Sequence, residues 1–287
     1  MENYVILTDS SCDLGKELAE ELDLHVISLE AVFDNGTTKL DSEIDVKEFY
    51  QQLREKVQIT TSAVGIDRFL NFIEPFLAEG KDVLYLGFTS GLSGTFNAGF
   101  VASQELSEKY PDRKVYAVDT LCASLGQGLI VKLAVDKKNA GATIDEVAAY
   151  VEEIKLNLCH WFTVEDLFFL KRGGRVSAAT AVMGTVLQIK PVMHVDDDGK
   201  LINVEKARGR IASIGSLFAK MKETAINPES QTVYISHGDC YDDAKKLADM
   251  ITAEFGITDI LISEVGPVIG AHSGPGTLAL FFLGSKR

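Results

Sequence analysis

VLYLGFTSGLSGT, residues 83–95, joins an apolar run to a loop of hydroxyl and glycine residues and then to a helical pattern. Residues 83–88 predict a buried strand, and the helical pattern begins near Thr95. Gly91 and Gly94 allow a tight turn, and the free N–H groups of a helix N-terminus favour an anionic or strongly polar ligand. An ordinary strand-to-helix turn with a Ser or Thr cap explains the same residues, so the loop alone leaves both interpretations open.

Composition indicates a globular protein of one large or two medium domains. The chain has 287 residues, 46% hydrophobic and 24% charged, with a net charge of -14. This acidity argues against nucleic-acid binding and against electrostatic docking on anionic lipid. No signal-peptide pattern or membrane-length apolar run is present, so we expect a cytoplasmic protein without stable membrane insertion. Four widely spaced cysteines favour buried thiols over disulfides or zinc: Cys12, Cys122, Cys159 and Cys240.

Strand and helix signals alternate in the first half of the chain. Apolar runs near residues 5–7, 24–29, 83–88 and 115–118 predict strands, and helical stretches separate them. Asp45 and Thr143 open two of these helices with the form of a capping box. This alternation predicts an α/β domain over residues 1–160, with a mostly parallel sheet and helices on both faces.

Polar residues follow three of the predicted strands. They are Thr8-Asp9-Ser10, Thr89-Ser90 and Asp119-Thr120. In open α/β sheets the ligand crevice lies at the carboxyl ends of the strands, so these segments are expected at a site. Taken alone, Asp9 and Asp119 are each better explained as plain helix caps.

The second half of the chain has a different pattern. A small-residue helix is expected at residues 178–187, followed by two apolar runs around the turn Asp196-Asp197-Asp198-Gly199, which predict an antiparallel hairpin. A helix from about residue 208, strands near 232–237 and 260–265, and a closing strand at 277–283 complete the pattern. We therefore expect a mixed α/β domain over residues 161–287.

Three further segments carry candidate site residues. Thr60-Thr61-Ser62 offers hydroxyl donors for a carboxylate, or a cap for the helix near residue 66. Lys171-Arg172-Gly173-Gly174-Arg175 offers guanidinium groups to an anion, or is a solvated loop beside Glu165 and Asp166. Gly270-Ala271-His272-Ser273-Gly274-Pro275-Gly276 places a histidine in a glycine loop, where it binds a ligand acid or is held by the backbone.

Other kinds of site have little support in the sequence. Nucleotide-binding motifs are incomplete, and metal-ligand spacings are missing, so neither cofactor nor metal is expected. His25, His160, His194 and His237 are interpreted as structural. A serine hydrolase is the competing interpretation, with Ser93 as the nucleophile and His272 as the base, although residues 91–95 depart from Gly-x-Ser-x-Gly and the sequence identifies no acid partner.

Together, the segments at residues 89–95, 169–175 and 269–276 resemble the DegV family, and the opening residues 8–13 fit it as well. The resemblance spans nearly the whole chain, in the expected order. It implies two α/β domains with a long-chain fatty acid buried between or beside them. In this family some members are the lipid-binding subunit of a bacterial fatty acid kinase, so the resemblance implies a non-catalytic protein with a kinase partner.

The resemblance also assigns site residues. It places Thr61 and Ser93 at the fatty-acid carboxylate, with His272 beside them. It implies secondary or partner contacts for these residues: Ser62, Thr89, Ser90, Gly94, Arg172, Arg175 and Arg208. One departure is that Ala63-Val64-Gly65 follows Thr61-Ser62, where the family often has Gln-Pro-Ser. We expect this change to loosen the loop or to alter chain preference.

Overall fold

The computed structural model describes residues 3–177 and 188–287. The strands are β1 (Tyr4–Asp9), β2 (His25–Ile27), β3 (Glu30–Phe33), β4 (Thr38–Leu40), β5 (Ile59–Ser62), β6 (Asp82–Gly87), β7 (Val115–Asp119), β8 (Leu158–Thr163), β9 (Ile189–Val195), β10 (Leu201–Arg208), β11 (Val233–His237), β12 (Ile260–Glu264) and β13 (Leu278–Leu283). The helices are α1 (Lys16–Glu21), α2 (Val46–Arg54), α3 (Ile66–Ala78), α4 (Thr95–Lys109), α5 (Leu125–Asn139), α6 (Ile144–Ile154), α7 (Leu167–Arg172), α8 (Arg210–Thr224), α9 (Tyr241–Phe255) and α10 (Pro267–Ser273). The helix expected at residues 178–187 lies outside the described residues.

The first half forms the expected parallel sheet, in the order β2-β1-β6-β7. Successive side chains of its strands pack into the two apolar cores on opposite faces of the sheet, because side chains alternate between the two faces. Leu84 and Leu86 pack with α5 and α6, whereas Val83 and Tyr85 pack with α3 and α4. The central strands are therefore continuous apolar runs, which is typical of a parallel sheet covered on both faces.

The second half forms a mixed six-stranded sheet, in the order β10-β9-β8-β13-β11-β12. β11 and β12 are parallel and the other pairs are antiparallel, including the predicted hairpin of β9 and β10. The fold class expected from the sequence is confirmed. The parallel sheet ends at Asp119 and the mixed sheet begins at Leu158; the domain boundary at residue 160 stays a prediction.

Helix α5 lies in the apolar core shared by these two sheets. Leu125, Leu129 and Ile130 are buried in a cluster that contains side chains of both sheets. Gly126 and Gly128 occur inside this helix because a β-carbon would lie 2.2 Å from His160 Nε2 at the first position and 2.7 Å from the Cys12 carbonyl oxygen at the second. The two glycines thus let the helix approach its neighbours closely.

A third sheet, antiparallel in the order β4-β3-β5, was missed by the sequence analysis. Its strands are three or four residues long and largely half-buried or exposed, so they lack the apolar runs that marked the other strands. Thr61 and Ser62 lie on β5 and do not cap α3, whose N-cap is Gly65. The cap interpretation of these residues is therefore wrong.

The cysteines are all free; Cys12, Cys122 and Cys159 are buried and Cys240 is half-buried. None of the helices in the described segments combines the length and apolar character that a bilayer crossing requires. Within the same segments, no group of three or more His, Cys, Asp or Glu side chains is arranged to hold a metal ion.

Candidate fatty-acid site

A cavity of about 280 Å³ lies at the carboxyl ends of the parallel strands, against the six-stranded sheet. Ser11 after β1, Phe88 after β6 and Ser124 before α5 line one side of it, as expected for strand ends in an α/β sheet. Most of the remaining wall is apolar. Its larger side chains include Phe162, Leu170, Val195, Leu201, Val268 and Phe281. The cavity therefore offers an apolar interior bounded by residues of both halves of the chain.

A hydroxyl and an imidazole meet in the cavity wall. Thr61 Oγ1 on β5 lies 2.8 Å from His272 Nε2 on α10, and both residues line the cavity. His272 is on a helix, so the expected glycine loop around it is wrong. Gly270 lies inside this helix because a β-carbon there would lie 2.8 Å from the Phe49 ring and 2.8 Å from the Tyr50 hydroxyl, so only glycine allows these side chains to pack against α10.

The His272 imidazole is neutral at physiological pH. Burial, and secondly the charge of Arg175, lower its pKa from 6.5 to about 4. Its other ring nitrogen, Nδ1, faces Gly173, where a β-carbon would lie 2.1 Å away. Gly173 in the basic segment is thus required for close contact between α7 and the histidine.

The loop at residues 89–95 divides into two parts with different roles. Ser93 and Gly94 line the cavity, and Ser93 Oγ accepts from the Thr95 backbone N–H at 3.2 Å and lies 3.0 Å from Thr95 Oγ1. Thr89 is buried and donates to the Gly199 carbonyl at 3.0 Å. A β-carbon at Gly91 would lie 2.6 Å from the Asp198 carbonyl oxygen. The first part of the loop therefore fixes the β9–β10 turn, and the second part faces the cavity.

The strand-end carboxylates are structural. Asp9 is fully buried, and its Oδ2 accepts from the Tyr85 hydroxyl and from the Phe88 backbone N–H, each at 2.9 Å. Asp119 accepts from the Ser90 backbone N–H at 3.2 Å. These bonds hold the loops after β6 and β7 in place, and neither carboxylate lines the cavity.

The three arginines singled out in the sequence occupy different positions. Arg175 is half-buried and lines the cavity, and its Nε donates to the Leu92 carbonyl at 3.1 Å. Arg172 is exposed and stacks on the Phe169 ring at 4.3 Å from the centroid. Arg208 is exposed on β10. Ser62 is exposed as well, and it does not contribute to the cavity wall.

The carboxyl groups of buried Asp13 and half-buried Asp41 hold the first turn of α10, the helix that carries His272. Asp13 Oδ1 accepts from the Gly266 N–H at 3.0 Å, and Asp41 Oδ1 accepts from the Val268 N–H at 3.1 Å. Burial raises the pKa of Asp13 well above its usual range and that of Asp41 to about 6. The position of His272 thus depends on residues more than 200 positions away in the chain.

The sequence analysis missed several lining residues: Ser11, Ser124, His160, Ser236 and Ser273. His160 has both ring nitrogens engaged, since Nδ1 lies 3.1 Å from the Leu158 carbonyl and Nε2 accepts from the Ala123 N–H at 3.3 Å. It fits the structural role expected for it, although it lies in the cavity wall. Ser124 and Ser236 lie outside the segments that the sequence singled out, whereas Ser11 and Ser273 lie inside such segments but were not assigned to the site.

The geometry does not assemble the arrangement that a serine hydrolase needs. His272 Nε2 is hydrogen-bonded to Thr61, and Ser93 Oγ to Thr95. Within residues 3–177 and 188–287, no carboxylate hydrogen-bonds the other ring nitrogen of His272 to orient it as a base.

The DegV family model, described as a family of uncharacterised proteins, matches residues 3–285. The chain belongs to the DegV family. It is 46% identical to a DegV domain-containing protein of Clostridium perfringens, over 100% of this chain and 99% of that one. Among solved structures, it is 30% identical to a DegV lipid-binding protein of Thermotoga maritima, with a TM-score of 0.86 and 100% of both chains covered. It is equally 30% identical to a DegV protein of Thermus thermophilus described by its fatty acid binding, with a TM-score of 0.86 over 97% of this chain and 98% of that one.

Proposed function

We propose that this DegV protein binds a long-chain fatty acid in the cavity, with the carboxylate held by Thr61 and Ser93. The observation that carries the proposal is a mostly apolar cavity of about 280 Å³ whose wall contains the Thr61–His272 pair and Ser93. Lipid and fatty acid binding by the Thermotoga and Thermus relatives supports it.

The tail supplies most of the affinity. Each methylene transferred from water contributes about 0.8 kcal/mol, so a tail of about fifteen methylenes contributes about 12 kcal/mol before ordering is subtracted. A carboxylate cannot enter such a cavity unpaired, because an isolated buried charge is strongly unfavourable. The polar side chains therefore decide which end of the ligand is held at Thr61 and Ser93.

The hydrogen-bond directions suit a carboxylate. When Nε2–H of neutral His272 donates to Thr61 Oγ1, the Thr61 hydroxyl proton is free to donate to a carboxylate oxygen. Ser93 Oγ accepts from the Thr95 N–H. When the Thr95 hydroxyl is the donor in the 3.0 Å contact between the two hydroxyl groups, the Ser93 proton is free for the second carboxylate oxygen. Arg175 in the same wall places a positive charge near the anion.

This mode of binding leaves the carboxylate available for phosphoryl transfer. We propose that a fatty acid kinase supplies ATP, and that a carboxylate oxygen attacks the γ-phosphorus while ADP leaves, which gives an acyl phosphate. Neutral hydroxyl donors interfere less with this attack than a bidentate arginine clamp. Exposed Arg172 and Arg208 are our candidates for contacts with the kinase.

Mass spectrometry of lipid extracted from the purified protein tests the binding proposal. We expect about one long-chain acid per chain, and we expect Thr61→Ala with Ser93→Ala to weaken uptake of added oleate at least tenfold, because each removed bond is to a charged group. Thr60→Ala is the matched control, since Thr60 is the exposed neighbour on β5 and does not line this cavity.

Absence of lipid together with no oleate uptake would overturn the proposal. Unchanged affinity in the double variant would show that Thr61 and Ser93 do not hold the carboxylate.

Trapping of acyl phosphate with hydroxylamine tests the kinase step separately. We expect hydroxamate only when the kinase of the same cell is added, and labelling of Ser93 by a fluorophosphonate would support a hydrolase instead.

A further inference from the structure

Four serines line the cavity apart from Thr61 and Ser93. Ser11 follows β1, Ser124 precedes α5, Ser236 lies on β11, and Ser273 ends α10. The proposed carboxylate ligands are Thr61 and Ser93, with His272 beside them, so fatty acid binding as proposed above gives these four hydroxyl groups no role.

Two of these serines form a directed chain of hydrogen bonds. Ser124 Oγ donates to the Asp13 carboxyl group, and Ser124 Oγ lies 3.1 Å from Ser236 Oγ. Because the Ser124 proton is directed to Asp13, Ser236 is the donor to Ser124. The lone pairs of Ser236 are then available to accept a hydrogen bond from a group in the cavity.

The other two serines lack partners. Ser11 and Ser273 are 1% and 5% exposed, and their hydroxyl oxygens have no hydrogen-bond partner within residues 3–177 and 188–287. Buried hydroxyls are normally satisfied, so these two indicate a ligand group or water. A serine hydroxyl changes direction by rotation about a single bond, so both can turn toward a polar group in the cavity.

We propose that Ser11, Ser236 and Ser273 form a second polar subsite in the cavity, which receives a hydroxyl group carried on the acyl chain. This inference rests on the proposed function. An alcohol has one proton to donate and two lone pairs. It donates to Ser236 and accepts from Ser11 and Ser273, so its hydrogen-bonding capacity matches what the three serines offer.

Competition binding to the delipidated protein tests the subsite. The probes are stearic acid and hydroxystearic acids with the hydroxyl near the carboxyl group, in the middle of the chain or at the methyl end. We expect one position to bind about tenfold tighter than stearic acid, because it satisfies hydroxyls that stearic acid leaves unpaired.

Two variants test whether Ser11 and Ser273 cause the preference for a hydroxy acid. Ser11→Ala with Ser273→Ala should abolish the tenfold preference, measured as the ratio of the hydroxy acid and stearic acid affinities of the same variant. Ser103→Ala should keep it, since Ser103 is a buried serine of α4 that donates to the Gly99 carbonyl outside the cavity. The wild-type comparison decides the question alone if the double variant does not fold.

Equal affinity for stearic acid and every hydroxy acid would overturn the subsite and indicate a bound water, while leaving fatty acid binding intact. A preference that survives in the double variant would overturn it too. Failure to bind any of these acids would overturn both proposals, whereas uptake of a hydroxy acid alone would keep the subsite and restrict the function to substituted chains.

Discussion

His272 is the residue of the proposed carboxylate site whose pKa is lowered to about 4 by burial and by the charge of Arg175. Its neutral ring lets Nε2 hold the Thr61 hydroxyl by a hydrogen bond of 2.8 Å without placing a second full charge beside Arg175. A protonated imidazole would attract a carboxylate more strongly, but burial and the arginine disfavour that form.

We expect the lipid-free protein to lose stability as the pH falls, through His272. The folded pKa of about 4 lies below the ordinary value of 6.5, so the folded state binds fewer protons between these values. The contribution is fully present above pH 6.5 and decreases toward pH 4. His160, His194, His237 and the buried carboxyl groups titrate in both proteins, so the change in unfolding free energy between about pH 7 and about pH 5 should include a loss about 2 kcal/mol larger in the wild-type protein than in His272→Gln.

His25→Gln is the control for this measurement, since His25 lies on β2, outside the cavity. It should keep the wild-type difference between the two pH values. The same dependence on pH in His272→Gln and in the wild-type protein would contradict the assignment.

Helices α7 and α10 meet at a close contact between Gly173 and His272. Gly173 follows α7 with an ordinary helical φ of -71°, so alanine is compatible with its backbone. Its added β-carbon would nevertheless lie 2.1 Å from His272 Nδ1. To relieve this contact in the alanine variant, the imidazole ring of His272 must move away from Thr61.

Gly173→Ala should therefore weaken oleate binding up to about tenfold with little change in unfolding free energy, because it disturbs one hydrogen bond near the carboxylate. Gly215→Ala in α8 is the control, since nothing lies within 4 Å of its β-carbon position. Adding Gly173→Ala to His272→Ala should not weaken oleate binding further. A further loss of affinity would show that Gly173→Ala does not act through the His272 imidazole.

The elements that the sequence predicted well are those with strong periodicity. The strands of the parallel sheet are continuous apolar runs, and Thr143 forms the predicted capping box with Glu146. β5 could not be predicted, because its residues Thr60, Thr61 and Ser62 pair with β3, which is far from them in the chain, and only Ile59 is buried. The local sequence pattern of a strand does not indicate that it pairs with a strand distant in the chain.

The site was predictable to a similar degree. The resemblance to the DegV family assigned Thr61, Ser93 and His272 to one site, and all three line one cavity. Their role at a carboxylate stays a prediction. The different role of Thr89 was not predictable, because it depends on the β9–β10 turn, whose Gly199 lies 110 residues away. Distinguishing a cavity-facing hydroxyl from a buried structural one requires the tertiary contacts.

At the scale of the whole molecule, the cavity is lined by residues of both halves of the chain, so a ligand adds contacts across the fold. We expect added oleate to raise the melting temperature of the delipidated protein. At a free concentration of about 100 times Kd the stabilisation is about 2.7 kcal/mol, which corresponds to about 5 to 10 °C. Differential scanning calorimetry measures it directly.

The methyl ester of oleic acid is the control for this experiment. It carries the same tail without the carboxylate charge, so we expect a smaller shift in melting temperature. An equal shift would contradict recognition of the acid group by Thr61 and Ser93.

The anchoring of α10 by Asp13 and Asp41 has a consequence for biosynthesis. Asp13 and Gly266 are separated by 253 positions, and Asp41 and Val268 by 227. The two aspartates can therefore position His272 only after residues 266–273 have been synthesised. A nascent chain still attached to the ribosome without residues 266–273 has no closed binding chamber. If the proposed function holds, we expect a fatty acid to bind only after residues 266–273 have been synthesised and folded, and we expect fragments truncated before this helix to contain no lipid.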